Sequence, residues 1–388
     1  MKQEAPERRN GFLIAQRVLI AAASVAILGA GSAIAEDDAT ATVIRDGKIG
    51  YVVTNKYWAV YQTPEGKTEC PQGFNDGPRE QFALLFPDDG TKRTLMETQL
   101  ARESEVYFPG TSKEPYPFHE AQGKVAIGLD LDGQTGAEDF LSPEGDEGID
   151  NQLYRAVGCV AGYRGPDGAI YHFENTYMQR YGVNRLMFEI SGVDSIVNDD
   201  DVTVTTYRGL DDLMTDASGK DFAPGGTQRV DARWGKRFIQ KFKGRIIDGV
   251  LTTEAKDLGI PWSETFNTHS IQWVKDVRFS LKLTLEGAEG LMGGYVDVEN
   301  WNQRFVRSWS THHSSYGQVS APSVYRALTR LADAYPDPDT GKNTAVSAAA
   351  ELKFTQVYIL HPEPEVSGQQ ISSGEQSIEE ASRLASAQ

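Results

Sequence analysis

The sequence predicts a mostly β fold, an antiparallel β-sandwich or jelly-roll with a few peripheral helices, and three observations carry that prediction. Val277, Phe279, Leu281, Leu283 and Leu285 alternate strictly with Asp276, Arg278, Ser280, Lys282 and Thr284. That period of two marks a strand with one buried face and one wet face, as antiparallel sheets have. Asp248-Gly249 stands between Ile246-Ile247 and Val250-Leu251, the two-residue hairpin signature of a turn needing positive φ at both central positions. Leu186, Phe188 and Ile190 alternate with polar neighbours, as do Val202 and Val204, and Asn198 to Asp201 between them reads as a polar turn, so 185–191 and 202–208 form a second hairpin.

Taken in order, the chain begins with a leader. Lys2, Arg8, Arg9 and Arg17 precede an apolar stretch from Val18 to Ala35, and Ala33-Ile34-Ala35 is a small-x-small cleavage site. Residues 1–35 therefore read as a secretory signal peptide, which places the mature chain in the periplasm or outside the cell. No later segment is apolar enough to be read as a transmembrane span. The whole chain carries a formal charge of −17, and removing the leader's four basic and two acidic residues leaves −19. Such a surface argues against nucleic acid and against anionic membranes. The two cysteines, Cys70 and Cys159, read as one disulfide in an exported chain, with two free buried thiols as the alternative.

The elements follow. Ile49 to Tyr61 is dense in β-branched and aromatic residues and reads as strand. Thr63-Pro64-Glu65-Gly66 is a turn, and Arg93 to Glu105 has helical spacing through Leu95, Leu100 and Ala101. Gln152 to Val157 fits a single helical turn. Later, Trp301, Phe305 and Trp309 at i, i+4 and i+8 give Asp297 to Trp309 one apolar stripe, read as core. Ala321 to Tyr335 is a second helix, with Ser320 as cap and Pro322 near its first position. Gly290 to Tyr295 reads as a tight turn into the next element, and Glu351 to Leu360 as a last strand. The resulting plan is an extension over 36–123 packed on the main domain, an acidic loop and sandwich over 124–361, and a flexible polar tail over 362–388.

Chemistry concentrates between Gly128 and Cys159. Asp130, Asp132, Glu138, Asp139, Glu144, Asp146, Glu147 and Asp150 follow one another with no Lys or Arg before Arg155, and five glycines break the run. Carboxylates so crowded repel unless they face water or share a cation. Asp130-x-Asp132-Gly133 opens like a calcium loop, whose donors are oxygens of alternating acids. The run then departs from the EF-hand pattern, since Gln134 and Gly136 stand where acids belong. Two readings fit, a solvated acidic loop or structural calcium at Asp130, Asp132, Asp139, Asp146 and Asp150. Asp199 to Asp201 reads as a charged hairpin tip. His312-His313 reads as a helix-end pair rather than a zinc site.

The sequence contains no nucleophile elbow, Walker loop, HExxH or CxxC. Paired carboxylates for glycoside hydrolysis need only meet in space, and Glu254, Glu264, Asp297 and Glu299 are of the right type. The combination of Tyr57-Trp58 with a later Glu69-Cys70-Pro71-Gln72-Gly73, Gly128-Leu129-Asp130-Leu131-Asp132-Gly133, Gly148-Ile149-Asp150-Asn151-Gln152 with Gly158-Cys159, and Met292-Gly293-Gly294-Tyr295 resembles a family of exported hypothetical proteins of Gram-negative bacteria. The resemblance spans most of the mature chain. It implies a periplasmic or outer-membrane-associated location and supplies no activity. The expectation is a non-enzymatic envelope protein that binds an unknown ligand or envelope protein, with calcium as its one candidate cofactor. The alternative is a secreted hydrolase of carbohydrates or esters.

Overall fold

The computed structural model describes residues 43–65, 67, 69–71, 73–74, 100–102, 105–107, 117–165, 168–182, 184–262, 271–308 and 321–362. The strands in chain order are β1 (Lys48–Trp58), β2 (Leu100–Arg102), β3 (Glu105–Tyr107), β4 (Leu186–Ser191), β5 (Asp199–Arg208), β6 (Gly226–Arg229), β7 (Lys241–Ile247), β8 (Val250–Thr253), β9 (Lys256–Pro261), β10 (Ile271–Leu283), β11 (Gly287–Asp297), β12 (Ala334–Pro336) and β13 (Asn343–Leu360). The helices are α1 (Leu153–Val157), α2 (Ala169–Tyr181), α3 (Val298–Ser308) and α4 (Ala321–Leu331).

Mostly β is right, but the sandwich is not. Strands β1, β4, β5, β7, β8, β10, β11 and β13 pair antiparallel in that order, and β13 pairs back onto β1, closing an eight-stranded up-and-down barrel. Alternation shows that each strand has one dry face. It does not show whether a sheet folds onto a second sheet or onto itself. Closure is made by the 18 residues of β13, whose backbone bonds β11 on one side and β1 on the other, so neither of these strands is left as an edge. The strand expected inside the 36–123 segment is β1, itself a barrel stave.

Eight strands enclose a space that side chains just fill. Here Tyr51, Val53, Phe188, Ile190, Val204, Phe242, Leu251, Phe279, Leu281 and Phe354 are all buried. The ring of Phe188 lies 4.7 Å from Phe279 and 4.9 Å from Phe354, and Phe242 lies 5.4 Å from Phe279. The outer wall presents exposed Lys243, Arg245, Lys282, Glu289 and Lys353. Among the described residues no helix is long and apolar enough to cross a membrane.

Helix α2, which the sequence reading missed, packs on the end of β1. Trp58 donates its amide N–H to the Tyr171 hydroxyl at 2.6 Å, and Lys56 donates its own to Asn175 at 3.0 Å. Beside them Lys56 Nζ pairs with Glu174 at 3.7 Å, Trp262 Nε1 donates to Glu174 at 3.0 Å, and the Trp58 and Trp262 rings stack at 4.3 Å.

Both hairpins form. Asp248 and Gly249 take φ of 50° and 75°, as the two-residue turn requires. The aspartates Asp199 to Asp201 belong to β5 rather than to the turn before it. Within the expected 93–105 helix, 93–99 lies outside the described residues, and Leu100–Arg102 instead pairs with Glu105–Tyr107 in an antiparallel ladder. Helix propensity is a weak prior that cross-strand bonding overrides. Trp301 of α3 is buried as expected, while the Phe305 side chain and Trp309 lie outside the described residues. Helix α4 stops at Leu331, short of Tyr335, because Ala334–Pro336 pairs with β13. The Met292–Tyr295 stretch is not a turn but the middle of β11. Cys70 and Cys159 are joined in a disulfide, with Cα atoms 4.9 Å apart.

Candidate metal centre and acidic cleft

The acidic stretch is an ordered loop laid against the outer wall of the barrel. Leu129 and Asp150 bridge antiparallel, as do Phe140 and Ile149, so the run closes on itself. Asp130 accepts from the Gly133 N–H at 2.7 Å and Asp132 from the Gln134 N–H at 2.8 Å, which folds the Asp-Leu-Asp-Gly segment into a tight turn. Gly148 has φ +80°, and a Cβ there would lie 2.7 Å from the Gln134 carbonyl, so the two arms approach as only glycine allows.

The wall is shaped to receive this loop. A Cβ at Gly293 would meet Leu131 at 3.0 Å and Leu129 at 3.1 Å, so the bare backbone of β11 is the seat for both leucines. Leu131, Tyr295 and Ala345 form a small apolar cluster beneath the turn. Arg278 of β10 donates Nη1 to the Asp130 carbonyl at 3.3 Å and also to the Leu131 carbonyl. Asn151 donates to the Ile127 carbonyl at 2.8 Å, Gln152 donates Nε2 to Glu138 O at 2.6 Å, and the Gln152 N–H reaches Ser347 of β13 at 2.9 Å. Two motifs of the acidic stretch, Gly128–Gly133 and Gly148–Gln152, thus meet a third far along the chain, Met292–Tyr295, at one place.

Asp130, Asp132 and Asp150 converge there, each offering an oxygen within 4.8 Å of the others. Asp130 and Asp132 are exposed, whereas Asp150 is buried and takes the Leu131 N–H at 2.7 Å. Burial pushes the Asp150 carboxyl up to about 6; the Leu131 N–H opposes this, and the charges of Asp132, Asp139 and Asp333 add to it. A carboxylate so crowded is one that a cation would relieve.

Around Asp150 opens a cleft of about 730 Å³, whose walls include Asp132, Glu138, Asp139, Tyr295 and Asp333. Asp139 accepts from the Gly136 N–H at 2.5 Å. Asp333, on the segment between α4 and β12, accepts from the Ser347 N–H at 2.7 Å and hydroxyl at 2.5 Å, and burial raises its carboxyl above the usual range. Burial, followed by Asp150, Asp333 and Asp132, raises the Tyr295 hydroxyl as well. Asp146 instead braces a turn by accepting from the Ser142 hydroxyl at 3.1 Å, apart from the triad. Of the five predicted ligands, three converge, Asp139 lines the adjoining cleft and Asp146 stands aside. The sequence reading missed Asp333, Tyr295 and Arg278; the glycine pair before Tyr295 was the one visible signal near them.

The other candidates are placed differently. Asp297 caps α3 by accepting from the Asn300 N–H at 2.7 Å, and Glu299 holds Gln303 at 2.9 Å. Glu254 lies in a separate groove beside Asp200, Asp201 and Lys243. Glu264, His312 and His313 lie outside the described residues. Asp201 pairs with Lys243 at 2.9 Å, and Asp199 accepts from the Asp194 N–H at 2.7 Å, both surface bonds that tie the strand ends. No family model, no curated protein and no solved structure matches this chain.

Proposed function

We propose that the chain is an exported binding protein of the cell envelope whose barrel carries a calcium-type cation at Asp130, Asp132 and Asp150. The observation that carries this reading is the convergence of three carboxylates within 4.8 Å, one of them buried, on a loop fixed to a rigid wall. Hard divalent cations take oxygen donors in flexible geometry, and carbonyls and waters complete such a shell. The bonded turn supplies pre-organisation, so the loop loses little freedom when an ion enters. The leader-like N-terminus and the disulfide support export, since disulfides persist in oxidising compartments. Isothermal titration with calcium tests the reading. The expected result is one site per chain, lost in Asp150→Ala and in Asp130→Ala. Heats equal to buffer dilution would overturn it.

A second reading, hydrolysis of carbohydrate or ester, has one observation in its favour: Asp150, raised to about 6 within a cleft, is suited to donate a proton near neutral pH. Turnover of aryl glycosides or aryl esters that disappears in Asp150→Asn would favour it over binding alone.

A further inference from the structure

The chain is acidic overall, at −17, yet one stretch inverts the balance. Between Ala232 and Ile247 stand Arg233, Lys236, Arg237, Lys241, Lys243 and Arg245, with no Asp or Glu among them. The fold turns this stretch into a ridge. Phe242 and Ile246 of β7 are buried, so Lys241, Lys243 and Arg245 lie outward in one line, each about 6.7 Å along the strand from the next. Lys256 of β9 donates Nζ to the Lys241 carbonyl at 3.0 Å and adds a cation at the end of the line. Lys236 and Arg237 are exposed just before β7.

Most of these charges are uncompensated. Asp201 pairs with Lys243 at 2.9 Å, and Asp231 with Arg233 at 2.7 Å. Among the described residues no carboxylate is ion-paired with Lys236, Arg237, Lys241, Arg245 or Lys256, although acids outnumber bases by 55 to 38 in the chain. An anion touching the ridge senses these neighbours rather than the net charge, because salt screens fields over about 8 Å.

The flanks of the ridge give a second observation. Strand register places Thr205 beside Lys241 and Thr203 beside Lys243 on β5, and Thr252 beside Arg245 on β8, with Ser280 of β10 beyond Thr252. Along these small hydroxylated side chains runs a groove of about 550 Å³, walled by Lys243, Arg245, Thr252, Asp200, Asp201 and Glu254. That volume suits a small-molecule ligand or a few units of a polymer. Its cations can hold anionic groups, while its hydroxyls and carboxylates can hold neutral hydroxyls. This mixture discriminates among polyanions. Nucleic acid asks for aromatic faces on which bases stack, and the ridge side chains supply none. A flat anionic bilayer would press Asp200, Asp201 and Glu254 against like charge. A single chain bearing both carboxylates and hydroxyls avoids each cost.

We infer that the outer face of β7 binds a carboxylated polysaccharide, a uronic-acid chain lying along the ridge. Lys241, Arg245 and Lys256 take its carboxylates, and Thr252, Asp200 and Glu254 take its hydroxyls. The site shares no residue with the proposed metal centre and stands without it.

The test is calorimetric titration of the protein with oligogalacturonate, beside oligoglutamate and oligodeoxythymidylate of equal charge, at about 0.15 M salt. Chelator in the buffer removes the metal centre from the readout, so failure of that reading leaves this one standing. The expected result is saturable binding of oligogalacturonate, weakened at least about tenfold by Lys241→Ala with Arg245→Ala. Lys220→Ala with Lys342→Ala removes two exposed charges elsewhere and should leave binding unchanged. Thr252→Val keeps the side-chain shape, and should weaken oligogalacturonate about threefold without altering oligoglutamate. The inference is overturned by the absence of saturable binding, or by equal losses in the two double variants. It is overturned equally if oligoglutamate or the oligonucleotide binds as tightly as oligogalacturonate.

Discussion

Replacing Asp150 by Asn should stabilise the metal-free protein, because the native carboxylate is folded into a place that resists its charge. Its carboxyl rises from 3.8 to about 6, first through burial and then through Asp132, Asp139 and Asp333. At 1.36 kcal/mol per unit, that corresponds to about 3 kcal/mol, and solvent on the cleft side reduces the expectation to about 2 kcal/mol. The amide keeps an oxygen for the Leu131 N–H, so the turn survives. The sign follows from linkage. A carboxyl with a raised folded value binds more protons in the native state between pH 4 and 6, so its presence lowers stability as pH rises through that window. The stability difference between Asp150→Asn and wild type should therefore be near zero at about pH 4, grow through pH 5 and be flat above about pH 6. Urea unfolding in chelator across this range measures it, and the difference cancels the other titrating groups. Calcium should invert the order, since a ligand present at a hundredfold excess over its Kd adds about 2.7 kcal/mol to the wild type alone. A difference that is the same at pH 4 and pH 8, or a variant less stable than wild type throughout, would refute the argument.

Three further outcomes follow from the packing. Gly293→Val should displace Leu129 and Leu131, which a Cβ would meet at 3.1 and 3.0 Å; calcium affinity should fall at least tenfold while far-UV circular dichroism shows the barrel intact. Reducing Cys70–Cys159, whose partners are 89 residues apart, should lower stability by about 4 kcal/mol in urea titrations with and without reductant. Phe279→Ala removes a ring within 4.7 Å of Phe188 and 5.4 Å of Phe242, and should cost about 3–5 kcal/mol with no specific effect on calcium stoichiometry.

The sequence showed individual strands well and their closure not at all. Val277 to Leu283 alternates because one face packs on the Phe188 and Phe242 rings and the other meets water, and that contrast is written in residue type. Barrel closure depends on the pairing of β13 with β1, about 300 residues apart, and no local pattern encodes it. The Gly293-Gly294 pair misled for a physical reason. Glycines usually mark turns, but here they mark a strand that another chain segment touches: Leu129 and Leu131 sit over Gly293, and a Cβ at Gly294 would lie 2.8 Å from Val274. The site was half legible. Asp130 and Asp132 announce themselves by spacing, and Asp150 by its place in the acidic run. Asp333 comes from a segment more than 180 positions away and reaches the cleft only because β13 runs beside β11 and β12.

The proposed cation would sit among Asp130, Asp132 and Asp150. Anomalous diffraction from crystals grown with terbium or calcium tests it most directly. The expected map has one strong peak coordinated by oxygens of all three aspartates at about 2.3–2.6 Å. A map with no peak there, or with its only strong peak on other residues, would contradict it.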